Sequence, residues 1–159
     1  MSGVDRAAAY AALLSDKFGV SSPDLSNGGP LVAVEHHFEL AKALRAAGYK
    51  LYVYVVACHY PADEKAGTEE LHEVACALRT VEAESHLAQW RVQVPVGTPV
   101  PSLVPLYAGA DWQEREQFDL VGVRFENHPD LRRLMLSEDW QGHPLRKDYA
   151  IDTGHAPWR

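Results

Sequence analysis

"ELHEVACALRTV", residues 70–81, decides how this chain of 159 residues folds. Leu71, Val74, Ala75, Leu78 and Val81 recur at helical spacing, the residue types favour helix, and period two is weaker. Pattern alone therefore predicts a helix here. The neighbouring segments are plainer. "KLYVYVVAC" (Lys50–Cys58) is β-branched and aromatic on both faces and reads as a central strand. "AQWRVQV" (Ala88–Val94) alternates, with Trp90, Val92 and Val94 on one face and Arg91 and Gln93 on the other, as a half-exposed strand does.

Further out, Ala7, Tyr10, Ala11, Leu14 and Phe18 predict a helix over Val4–Phe18 that stops at Gly19. "SSPDLSNGGP" supplies turn residues, and "LVAV" (Leu31–Val34) reads as a short buried strand. Phe38, Ala41, Leu44 and Ala47 predict a second helix, stopped by Gly48, with the adjacent His36 and His37 as surface or capping groups. "PVGTPVPSLVP" (residues 95–105) breaks the next strand with four prolines. Asp111 then stands as a cap with Glu114 at capping-box distance, Phe118 and Val121 share one side, and Gly122 ends the helix. Helix and strand alternate up to about Val94. From Gly122 onward periodicity fades and charge density rises, as in an α/β body carrying an irregular C-terminal arm.

The net charge of −7 argues against electrostatic binding to nucleic acid or an anionic membrane. Cys58 and Cys76 form no CxxC pair, cannot alone hold an iron–sulfur cluster, and read as small apolar core residues. "MSGVDRAAAYAALL" lacks the basic then apolar pattern of a signal peptide, and no stretch approaches the roughly 18–20 apolar residues of a membrane span. His128, His143 and His155 match no zinc spacing, and each adjoins a proline or glycine, where histidine often bonds the backbone. No GxSxG or GxGxxG occurs. Glu114 and Glu116 flank Arg115, which should keep both ionised. Arg115 is also placed to pair with Asp119 one turn on.

The stretch 127–149, "NHPDLRRLMLSEDWQGHPLRKDY", interleaves Arg132, Arg133, Arg146 and Lys147 with Leu131, Leu134, Met135, Leu136, Trp140, Leu145 and Tyr149, and Trp158 follows it. A purely solvated face rarely carries so many rings and aliphatics. Arginine and aromatic enrichment on an irregular backbone points to a protein–protein contact. Self-packing of the arm and a small-ligand site are the other readings.

Glu114-Arg115-Glu116, Asp119-Leu120-Val121, His128, Arg132 and Leu134-Met135, extended by "HPDLRR" and "DWQGHPLRKDY", resemble the signature of the thirty-kilodalton (C-type) subunit family of respiratory complex I, the proton-pumping NADH:quinone oxidoreductase. Two local departures are Val121, where an aromatic is usual, and Ala150, where proline is usual. The N-terminal two-thirds resembles the family in layout.

The resemblance implies an α+β fold. An N-terminal α/β domain (residues 1–100) has a small mixed sheet flanked by helices, and a signature helix and extended C-terminal interaction arm (residues 101–159) follow. It also implies a strand over Val74–Thr80, pairing with Leu51–Cys58 and with Ala88–Val94, against the bare pattern. It implies a hydrophilic peripheral-arm subunit on the cytoplasmic side of the bacterial inner membrane, held there by other subunits. Its implied partners are the forty-nine-kilodalton (D-type) subunit and the small cluster-bearing (B-type) subunit. It implies no catalytic, cofactor or metal residue on this chain, with FMN, iron–sulfur clusters, NADH and quinone bound elsewhere in the complex. Arg132, Arg133, Trp140, His143, Leu145, Arg146, Lys147, Asp148 and Tyr149 are the expected interface residues. The equivalent subunit of a membrane-bound nickel–iron hydrogenase or formate hydrogenlyase is the alternative, and a free-standing enzyme a second one.

Overall fold

Within residues 70–81 the stretch Leu71–Arg79 goes to strand, as the resemblance implies over Val74–Thr80 and the bare pattern does not. In the computed structural model, which describes residues 3–20 and 28–150, Leu71–Arg79 (β2) lies between Leu51–Tyr60 (β1) and Leu87–Pro95 (β3). Both pairings are antiparallel, with Val55 opposite Cys76 and Cys76 opposite Trp90. His72, Val74, Cys76 and Leu78 are buried at period two on the core face. Val74 and Leu78 satisfy both the helical and the strand period, so pairing with two neighbours decides between them.

The strand at Lys50–Cys58 is at the edge of the sheet, not at its centre. Its open edge is closed by the helix Ala110–Val121 (α3). The Val55 N–H donates to Gln113 Oε1 (2.8 Å) and the Ala57 N–H to Gln117 Oε1 (2.9 Å), while Gln113 Nε2 donates to the Val53 carbonyl (3.4 Å). Only one face of β1 is buried. Val56, Cys58 and Tyr60 point outward, so Cys58 is an exposed thiol and Cys76 alone is a core residue.

The helices Gly3–Phe18 (α1) and His37–Ala46 (α2) form where the apolar spacing places them, and Tyr10, Leu14, Leu40 and Leu44 go into the core. "LVAV" is not a regular strand. Leu31 makes one parallel bridge to Arg91, which gives the sheet its mixed character, and the chain then turns through a 3₁₀ segment, Val34–His36, into α2. His37 is not a surface group either. It is buried, accepts a hydrogen bond from Trp90 Nε1 at Nδ1 (3.0 Å), and burial pushes its pKa down to about 4. Trp90 needs a partner for its N–H when fully enclosed, and an imidazole that stays neutral supplies one.

The proline-rich stretch also holds an element the sequence does not announce. Val100–Pro101 (β4) pairs in parallel with Phe125–Glu126 (β5). The Val100 N–H reaches Arg124 O and the Ser102 N–H reaches Glu126 O, both at 2.9 Å, so proline at 101 costs the pairing no donor. This pairing draws the chain leaving α3 back under the sheet. The core continues unbroken from Tyr10 and Leu14 through Trp90 to Val123 and Phe125.

Candidate functional site

The signature helix α3 turns three charged side chains inward, at Glu114, Arg115 and Asp119. No capping box forms. Gly109 occupies the cap position without a side-chain bond, and Asp111 lies inside the first turn. Glu114 instead accepts from Ser102 Oγ (2.6 Å) and the Leu103 N–H (2.7 Å), tying the loop after β4 to the helix. Its carboxyl is not held ionised by Arg115. Burial pushes its pKa up to about 7, against the two hydrogen bonds that favour the charge. Arg115 does not pair with Asp119 either. Its guanidinium donates to the carbonyls of Arg132 and Arg133, both at 3.3 Å.

Asp119 is the hub of the arm. One carboxylate oxygen accepts the N–H groups of Leu134 (3.0 Å), Met135 (2.7 Å) and Leu136 (2.9 Å), and the other accepts Arg133 Nη1 at 2.6 Å. Burial raises its pKa, but these donors outweigh it and hold the group below the usual aspartate range. Arg133 goes on to bond the carbonyls of Trp140 and Gly142, both at 3.0 Å, and His143 Nδ1 lies 2.9 Å from the Asp119 carbonyl. Two glycines admit this crossing. A Cβ on Gly122 (φ 87°) would stand 2.7 Å from the His143 ring, and one on Gly142 (φ 80°) 2.9 Å from the Tyr149 ring.

A second anchor fixes the arm's far end to the β1–β2 hairpin. Arg146 Nη2 lies 2.7 Å from both Glu70 Oε1 and Asp148 Oδ2. The Lys147 N–H donates to Nδ1 of the buried His59 (3.1 Å), which leaves Nε2–H of that ring to donate to Glu70 (2.7 Å). The Arg146 bond holds the Asp148 pKa down to about 2. His72, directly opposite His59 in the sheet, is buried beside this group, and burial followed by the Arg146 charge pushes its pKa down to about 4. His59, Glu70 and Asp148 can bring three ligand atoms within 4.8 Å of one another. The Arg146 guanidinium already neutralises both carboxylates, so the arm itself supplies the cation that this set attracts.

The remaining residues singled out in the sequence spread along the same arm. His128 bonds backbone, as its neighbouring proline suggests, with Nε2 3.3 Å from the Asp111 carbonyl. Arg132 is exposed and pairs with Asp130 (2.8 Å). Glu116, Trp140, His143 and Tyr149 are half-buried, and Lys147 and Asp148 are exposed. Met135 and Leu145 stand open to solvent at 63% and 61%, as does Trp112 on α3 at 67%. Glu70 and His59 were missed in the sequence because they lie 76 and 88 positions from the residues they hold. His155 and Trp158 lie outside the described residues.

An irregular arm bound to one helix by a carboxylate hub is thus the feature that the signature residues build. The family model described as "Respiratory-chain NADH dehydrogenase, 30 Kd subunit" matches residues 31–155. The chain belongs to this family. Among similar members of the 30 Kd family, the C subunit of NADH-quinone oxidoreductase from Streptomyces coelicolor is 41% identical over 121 residues, 74% of this chain and 46% of that protein. The J subunit of NAD(P)H-quinone oxidoreductase from a Synechococcus strain is 64% identical over 51 residues, 32% of this chain and 29% of that protein. The matches span between 28% and 63% of the length of these curated relatives, 46% for the Streptomyces protein. A solved structure titled "Nqo5 of the trypsin-resistant fragment (1-134) in P63 form" shares the fold with a TM-score of 0.60 at 24% identity, covering 81% of this chain and 99% of that one.

Proposed function

We propose that the chain is a non-catalytic, cofactor-free structural and assembly subunit in the peripheral arm of a proton-translocating NADH:quinone oxidoreductase. Membership of the 30 Kd family, across a match that takes in the whole braced arm, carries this reading. In it the arm packs against the large quinone-site (D-type) subunit and the small cluster-bearing (B-type) subunit. Hydride removal from NADH, electron passage through FMN and iron–sulfur clusters, and quinone reduction belong to other subunits. One buried thiol and one exposed thiol on different strands offer no ligand set for an iron–sulfur cluster.

Physical chemistry supports the arm as the contact surface. Its polar groups are largely satisfied within the chain, so docking need not order it from a disordered state. Its outward surplus is apolar, with Met135 and Leu145 exposed beside the half-buried Trp140 and Tyr149. An obligate contact of this type buries about 2,000–5,000 Å² in total. No described helix is long and apolar enough to cross a membrane, and in this reading other subunits hold the chain at the cytoplasmic face.

Native-gel quantification of the complex tests the proposal. The wild-type chain should co-migrate with the large quinone-site subunit. Arg146→Ala should lower the amount of assembled complex while the circular dichroism of the isolated chain stays unchanged. A wild-type chain that never enters the complex, or quinone reduction by the purified chain alone, would overturn the assignment.

A further inference from the structure

A cleft of about 540 Å³ opens at the end of the sheet remote from the Arg146 anchor, between the α2–β1 turn and the loop entering α3. Its lining includes Arg45, Lys50, Leu51, Leu106 and Tyr107. We propose that it is a second docking site, for an acidic segment of a partner polypeptide, with a carboxylate seated between Arg45 and Lys50 and a neighbouring apolar side chain on Leu51 and Leu106.

Charge carries the argument. The chain is acidic, at −7. Arg6, Lys42, Arg91, Arg132, Arg133 and Arg146 each pair with a carboxylate of the chain itself. Arg45 and Lys50 enter no ion pair among the described residues, yet both face one concavity. Lys17, Lys65, Arg79, Arg124 and Lys147 also lack an ion pair among the described residues, but Arg45 and Lys50 share one cleft, and two such cations side by side in a chain of net charge −7 select a negative partner and repel a basic one.

The cleft is also partly preorganised. The Arg45 guanidinium lies 5.6 Å over the Tyr107 ring, and the Tyr107 hydroxyl is fixed by donating to the Tyr49 carbonyl (2.7 Å). α3 starts at this lip with no side-chain cap, which adds its partial positive charge to the same side. The apolar part decides for a polypeptide over a bare anion. Leu51 is 47% exposed, and a free phosphate would leave it wet, whereas a peptide side chain covers it. The strand β1 runs ten residues from Leu51 to Tyr60, next to the His59 anchor, so roughly 30 Å separates the two surfaces.

The inference rests on the proposed role as a subunit, and the test separates the two. A photo-crosslinking phenylalanine analogue replaces Leu51 in the chain within the intact complex, and the linked peptide is identified by mass spectrometry. The expected result is a cross-link to another subunit at a peptide containing Asp or Glu. The cross-link should fall about tenfold or more in Arg45→Glu/Lys50→Glu, and stay unchanged in the surface control Lys65→Glu. A chain that assembles normally but gives no polypeptide cross-link at Leu51 overturns the cleft and leaves the subunit role intact. So does a cross-link that the charge reversal does not alter, or saturable binding of inorganic pyrophosphate at Arg45 and Lys50 without a cross-link. A wild-type chain absent from the complex overturns both readings.

Discussion

The body of the molecule and its C-terminal arm are stabilised by different means. The body closes around apolar side chains at regular spacing. Leu14, Leu40, Leu44, Val74, Trp90 and Val92 are fully enclosed, and any one of them packs on several others. Past β5 the arm, from Asn127 to Ala150, has no buried residue. It keeps its path because a few charged groups answer its backbone one bond at a time: Asp119 takes three consecutive N–H groups, Arg115 takes two carbonyls, and Arg133 takes two. A chain without ladders still has to satisfy its peptide groups, and here two buried charges on a neighbouring helix and one guanidinium of the arm itself do it. The body should therefore fail as a unit and the arm locally.

Trp90→Ala sets the upper end of that contrast. Loss of the largest core side chain, and of its bond to His37, should cost about 3–5 kcal/mol in denaturant unfolding. Sheet and arm amides should lose hydrogen-exchange protection together, and an arm that stays protected would show it to be independent of the body. Asp119→Ala should cost about 3 kcal/mol, because it strands Arg133 and three N–H groups. Exchange should then accelerate at residues 134–136 while β1–β3 stay protected. Equal acceleration in the sheet would erase the distinction between the two regions.

Titration sharpens it next. A glutamate whose folded pKa is raised to about 7 contributes stability that is complete below about 4.5 and lost as pH rises through 7. His37, lowered to about 4, works in the opposite sense, with stability present above its ordinary 6.5 and lost as pH falls toward 4. His37 and His72, both lowered to about 4, offset the glutamate in the absolute melting temperature, so the comparison with Glu114→Gln isolates it: between pH 5 and 8 wild type should lose about 2 kcal/mol relative to the variant as pH rises. A Glu114→Gln profile parallel to wild type would mean that the carboxyl titrates normally. The smallest effect is expected for Gly122→Ala, about 1–2 kcal/mol from the positive φ and the His143 contact. It should be seen first as a displaced His143 ring resonance rather than as a change in β1–β3.

This contrast also governs what the sequence discloses. The three main helices are legible in their apolar spacing, and β3 in its alternation. β2 is not, because Val74 and Leu78 fit two periods at once, and the resemblance is needed to choose. The edge position of β1 is hidden because polar glutamines, not apolar residues, cover it. Glu114, Asp119 and His37 look like surface groups in a linear reading, since nothing in a string of residues marks a charge that will turn inward to meet a backbone. The arm's residue types reveal that it lies against something. They do not reveal that much of that something is its own chain, through partners as distant as Glu70 and His59.

The two glutamine amides that fill the open margin of β1 have a further consequence. An incoming strand from another molecule would find the Val55 and Ala57 positions already taken, and could add only by prising α3 away. Strand-to-strand addition between copies along that margin, the route by which open sheet edges nucleate fibrils, is thereby blocked by two side chains of the chain itself.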